Sequence, residues 1–198
     1  MSRLFACALV WLASSALADD VRMDRGREIV SGRCFLRHGM HGEASSELSP
    51  RLAGQNEAYL AKQLANFKSG ERKSSAMRPM VANLSPEDMR AVALYFSRQR
   101  AEPHLPDDPQ LAARGKRSTS RAARPLKRPP VWGAMATAPM GLSSCRALAG
   151  QVAAYLETQL RDFSRRERTN DNAVMHTIAA RMTDDEIRSV AAYLASLD

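Results

Sequence analysis

Acidic residues are missing from the whole stretch between Pro109 and Leu156, which carries eight Lys or Arg. The formal net charge is +8, so the rest of the chain balances. The charge marks one odd segment and does not describe a nucleic-acid-binding surface. Aromatic side chains make up only 6% of the 198 residues. A unit with so little apolar mass needs a staple or a large ligand to hold its core. Cysteine is scarce, with only Cys7, Cys34 and Cys145. No segment alternates as a strand does. The longest strongly apolar run, Leu4 to Ala18, is too short for a membrane span. No hydrolytic constellation, phosphate loop or zinc spacing stands out, so nothing points to an enzyme. Hydrophobic residues at 44% and charged residues at 25% exclude wholesale disorder.

The first residues read as an export signal. Arg3 supplies the positive start, Leu4 to Leu12 the apolar stretch, and Ala16-Leu17-Ala18 a small-x-small cleavage site. Cleavage after Ala18 removes Cys7. Cys34 and Cys145 then remain, a pair that an oxidising compartment could join, although their contexts differ.

A repeat organises the mature chain. Leu52-Ala-Gly-Gln55 returns as Leu148-Ala-Gly-Gln151, and the match continues through Tyr59/Tyr155, Gln63/Gln159, Phe67/Phe163 and Arg72/Arg168. After a two-residue insertion Met77 pairs with Met175, Ser85 with Thr183 and Tyr95 with Tyr193. The chain therefore divides into a signal peptide (1–18), a first unit (19–99), a proline-containing linker (100–113) and a second unit (114–198). Each unit reads as all-α. Tyr59, Leu60, Leu64 and Phe67 share one helical face, and Met89, Val92, Ala93 and Phe96 share another. Ser85 with Pro86 forms a helix start, and Thr183 with Glu186 is a capping box. An earlier helix is expected over Met23 to Gly32.

Chemistry enters at Cys34-Phe-Leu-Arg37-His38-Gly39. The signature for covalent haem is C-x-x-C-H. The first Cys and the His stand here, and Arg37 takes the place of the second Cys. A methionine about 40 residues past the His suits the second axial position of a six-coordinate haem. Met77 and Met80 both qualify by distance, and the pairing with Met175 favours Met77.

These features resemble the cytochrome c4 family, in Cys34…His38-Gly39, Leu52-Ala-Gly-Gln55-x3-Tyr59-Leu60-x2-Gln63-Leu64, Arg168-Thr-Asn-Asp171 and Ala191-Ala-Tyr193-Leu194. The resemblance covers nearly all of the mature chain and is poor from about Arg117 to Arg146. It implies two tandem class I cytochrome c-like helical domains; this chain departs from that pattern in the second, which is expected to be disrupted. It implies a haem c held in the first unit by His38, Met77 and the Cys34 thioether. Met175 becomes the distal ligand of the second unit, where a haem is doubtful. It places Pro50 so that its backbone orients the proximal imidazole. It further implies a periplasmic electron carrier whose partners are redox proteins of the respiratory chain, membrane complexes among them. The competing expectation is a non-haem exported remnant that only binds partners. His41, His104 and His176 read as ordinary solvated or partly buried histidines.

By the repeat, the second haem motif should place its Cys near 130 and its His near 134. The chain there reads Arg128-Pro-Pro-Val-Trp-Gly-Ala134-Met, with neither residue. Codons that straddle these positions are informative. Pro130/Val131 permits Cys, Trp132/Gly133 requires Gly, Gly133/Ala134 permits Cys, Ala134/Met135 permits His, and Met135/Ala136 requires Gly. A reading-frame shift after Lys116, undone near Arg146, would account for the missing motif, the acid-free stretch and the return of the repeat at Leu148. Cys145 then has no ligand role.

Overall fold

Local rules explain where each helix starts. The computed structural model describes residues 17–100, 108–121, 148–171 and 173–197. Helix α1 covers 17–29, and a π turn at Val30–Cys34 joins it to α2, Phe35–His38. Next come α3 (Glu57–Ser69), α4 (Arg78–Val81) and α5 (Pro86–Ser97). The second unit contributes α6 (Pro109–Arg121), α7 (Ala153–Ser164), α8 (Val174–Ala179) and α9 (Asp184–Ala195). Among the described residues there is no strand. None of the described helices is long and apolar enough to cross a membrane.

The two capping motifs act as their residue types require. The Ser85 hydroxyl accepts from the Asp88 amide while Asp88 accepts from the Ser85 amide, at 3.0 and 3.1 Å. Thr183 and Glu186 repeat this, at 3.2 and 2.8 Å. Each box supplies acceptors for two of the backbone donors that a helix start leaves unpaired. Asn56 caps α3, and Gly70 ends it in the left-handed region at φ 89°.

The first helix extends further toward the N-terminus than the expected Met23 start. Helix α6 begins at Pro109, within the stretch that reads as linker. The reason is local: Asp108 Oδ1 accepts from the amides of Gln110 and Leu111, both at 2.9 Å, and caps the helix.

The first unit packs α3 against α5 around Leu60, Phe67, Val92, Tyr95 and Phe96. The second packs α9 against α6 and α7, with Leu156, Val190, Ala191 and Leu194 at its centre. A glycine lets the first helix of each unit approach closely. At Gly26 a Cβ would collide with the Ala91 carbonyl and Tyr95; at Gly115 it would collide with the Ser189 carbonyl and Tyr193. Arg25-Gly26-Arg27 and Arg114-Gly115-Lys116 are thus one repeated element that the repeat pattern conceals, because its spacing differs from the rest. The disruption expected in the second unit finds no support in its described residues. The segment for which a frame shift is expected lies, from 122 to 147, outside them, as do Cys145 and His104.

Candidate haem site and the surface between the units

His38 ends α2, and Gly39, with φ 73°, turns the chain away behind it. The imidazole is 6% exposed. Its Nδ1 lies 3.0 Å from the Pro50 carbonyl oxygen, a geometry that assigns the proton to Nδ1. Its Nε2 is buried and bonded to nothing in the protein. A buried acceptor without a partner is rare and calls for a ligand. Burial lowers the imidazole's proton affinity, the Pro50 bond opposes this, and the neighbouring Arg37 charge adds to it. The outcome is a neutral ring, the form that binds metal.

Nε2 belongs to a residue that lines a cavity of about 560 Å³. Leu52, Leu60, Leu64, Phe67, Val92 and Phe96 make its walls apolar. Met77 lines the same cavity, at the N-terminal edge of α4, with its amide held by Ser74 Oγ at 3.1 Å. Met80 is not among the lining residues; its carbonyl accepts from Arg33 at 3.4 Å. The fold therefore brings His38 and Met77 to one space across 39 positions of sequence. A thioether and a free imidazole nitrogen in an apolar cavity are the donor set of a His/Met haem, and the residues present fit that group.

Cys34 closes the π turn and borders the core instead of the cavity wall. Its Sγ is 3.9 Å from the Ile29 carbonyl oxygen. Burial pushes the thiol up to about 11, with the Arg33 charge acting weakly the other way. Arg37 reaches across to the Ala76 carbonyl at 2.8 Å, next to Met77. In the second unit Met175 is half-buried on α8, its amide held by Asp171 at 2.5 Å. It does not line the cavity that holds His38. His176 Nδ1 is paired with the Phe163 carbonyl at 2.9 Å, and His41 is exposed beside Gln99.

The far wall of the cavity comes from the second unit, through Leu148, Gln151, Tyr155, Gln159 and Arg168. The boundary is pseudo-symmetric. Arg72 donates to Gln63 of its own unit at 2.7 Å, and to Tyr155 and Gln159 of the other at 2.9 and 2.7 Å. Arg168 donates to Gln159 of its own unit at 2.7 Å, and to Tyr59 and Gln63 of the other at 3.2 and 3.3 Å. Arg72 stacks on Phe67 at 4.6 Å, and Arg168 on Phe163 at 4.5 Å. Gln151 seals the edge by bonding both the amide and the carbonyl of Arg51, at 2.7 and 2.9 Å. The repeat shows every one of these pairs, but it carries no sign that equivalent residues would face each other.

No family model matches the chain. Cytochrome c4 of Pseudomonas aeruginosa is 31% identical over 204 residues, covering all of both chains. Cytochrome c4 of Stutzerimonas stutzeri is 32% identical over 213 residues, again covering all of both. A thiosulfate dehydrogenase electron acceptor of S. stutzeri is 34% identical over 197 residues, covering 97% of this chain and 91% of that one. The crystal structure of reduced recombinant cytochrome c4 from Pseudomonas stutzeri superposes with a TM-score of 0.78 at 31% identity, covering 89% of this chain and 98% of that one.

Proposed function

The chain belongs to the cytochrome c4 family, and on that premise we propose that its first unit carries one haem c and moves single electrons between redox proteins of the respiratory chain. When bound, the haem iron supplies a one-electron couple. The chain's own residues do the rest. His38 would hold the iron through Nε2, and the Pro50 carbonyl holds the ring in the tautomer that leaves Nε2 open. Met77 would hold the iron through its soft sulfur, which favours the reduced state. The apolar walls exclude water and favour the lower charge. The single observation that carries the proposal is the buried, unpartnered His38 Nε2.

Cys34 provides one covalent tether. It would hold the haem through a thioether to one vinyl group. Arg37 supplies no second tether. Met175 serves a second haem only if the 117–146 segment of the gene is frame-shifted and encodes Cys and His. For the chain as written, one haem is the count. Export with cleavage after Ala18 places the protein in the periplasm, facing membrane complexes. The relatives that are electron acceptors of thiosulfate dehydrogenase support a sulfur-oxidising enzyme as a further donor.

The test is expression with a c-type haem maturation system, followed by a haem stain on a denaturing gel and a reduced-minus-oxidised spectrum. A stained band with a sharp α-band is expected. A colourless, folded protein would sink the proposal and leave a non-haem binding protein. Resequencing the gene across codons 117–146 decides the haem count independently.

A further inference from the structure

Arg37 stands where the C-x-x-C-H signature has its second thiol. It lines the cavity that holds His38 and Met77, and its Nη1 donates to the Ala76 carbonyl at 2.8 Å. Ala76 is the residue immediately before Met77. One bond thus runs from the neighbour of His38 to the neighbour of Met77, across 39 positions of sequence. Four residues before Arg37, Arg33 repeats the pattern: its Nη1 donates to the Met80 carbonyl at 3.4 Å. Two guanidinium groups about one helical turn apart therefore hold main-chain oxygens on either side of Met77. Met77 needs such support. Helix α4 has only four residues, and Met77 is its N-cap with no capping bond from its side chain. So short a helix has little stability of its own. The far end of the stretch is tied in the same way, since Lys68 Nζ donates to the Leu84 carbonyl at 2.6 Å. Three cations from flanking elements thus fix the chain from Ala76 to Leu84 by its carbonyl oxygens.

We propose that Arg37 is a positioning residue for Met77. It exchanges a second covalent hold on the ring for a hydrogen-bonded strap between α2, which carries His38, and the stretch that carries Met77. The two axial donors are thereby linked through the protein itself. With Cys34 as one tether, firm placement of Met77 takes a larger share in retaining a haem. A charged donor binds a carbonyl more strongly than a neutral one, so Arg suits this place better than Gln. The bond from Arg33 is longer and supports the strap without replacing it. The proposal rests on the haem reading of the first unit, and the strap between α2 and Ala76 can be measured without haem.

The experiment uses the full-length mature chain in two forms. In the haem-free form, amide hydrogen exchange is followed at Val81, whose N–H donates to the Met77 carbonyl, and at Arg78, whose N–H donates to the Ser74 carbonyl. Arg37→Gln should speed both by about fivefold, the scale of one lost hydrogen bond. The Met89 amide in α5 should not change. In the oxidised, haem-loaded form, added imidazole competes with Met77 and bleaches the methionine-to-iron charge-transfer band. Arg37→Gln should raise the apparent imidazole affinity by about fivefold as well. Arg37→Lys keeps one charged donor and should restore part of the wild-type behaviour; it also serves if the Gln variant does not fold. Arg33→Gln should act in the same direction and more weakly. Arg78→Gln removes an exposed cation beside Met77 that is not part of the strap, and should stay within about twofold of wild type. Unchanged exchange at Val81 and Arg78 in Arg37→Gln overturns the strap. Equal effects of Arg37→Gln and Arg78→Gln overturn it too, by reducing it to surface charge. A chain that takes up no haem overturns the haem reading instead, and the exchange rates still decide whether Arg37 ties Met77 to α2.

Discussion

Set side by side, the two units share what folding needs and differ in what a ligand needs. Capping boxes at Ser85 and Thr183, close-packed glycines at Gly26 and Gly115, and buried arginines at Arg72 and Arg168 occur in both. A buried imidazole with an unpaired nitrogen occurs, among the described residues, only in the first. Its counterpart should lie in the segment with no acidic residue. The rules of the frame are local or involve few residues. The ligand set depends on two side chains that only the complete fold brings together.

The largest contrast should come from the axial methionines. Met77→Ala is expected to abolish the methionine-to-iron charge-transfer band and lower the reduction potential markedly, whereas Met175→Ala should leave both unchanged. Optical redox titration measures this, and an equal effect of the two changes would give the second unit a working site.

The paired glycines come next. Gly26→Ala and Gly115→Ala each drive a Cβ into a backbone carbonyl, and each should destabilise its unit by about 1–3 kcal/mol. Urea unfolding followed by far-UV circular dichroism reads the loss. A neutral Gly115→Ala would mean that α6 does not pack on α9 as the first helix packs on α5.

The caps offer the finest test. Ser85→Ala and Thr183→Ala should cost about 1 kcal/mol each. Their acid response can be probed through Asp88, whose carboxyl is held below its usual range by the Arg25 hydrogen bond first and the Ser85 amide second. A depressed value in the folded state means that the stabilisation is full above the unfolded carboxylate value of about 3.9 and fades as pH falls through the lower folded one. Asp88→Asn should therefore reduce stability at neutral pH and flatten its fall on the acid side. Thermal melts between about pH 2 and 7 would show it, and an unchanged acid limb would rule out this linkage.

Much of the frame is readable from residue type and spacing. Ser85-Pro86 and Thr183…Glu186 start helices by hydrogen bonds within four residues, and the stripes on α3 and α5 follow from the 3.6-residue period. The structure superposes on a cytochrome c4, in keeping with the all-α class expected. Other features are harder to read. Asp108, which caps α6, is hidden in a proline-rich stretch that reads as linker. The Gly26/Gly115 equivalence is masked by a change in repeat spacing. Arg72 and Arg168 are visible as a repeated pair, but a pair in sequence does not reveal that its members meet.

By itself the sequence determined the striped helices, the two capping boxes, the repeat and the candidates His38 and Met77, because these depend on periodicity, hydrogen bonds close in the chain and the chemistry of single side chains. Tertiary structure alone decided that His38 Nε2 has no protein partner, that Met77 and not Met80 lines its cavity, and that two arginines 96 residues apart share the same oxygens. Burial and the facing of distant surfaces set those outcomes, and neither is a property of any short stretch of chain.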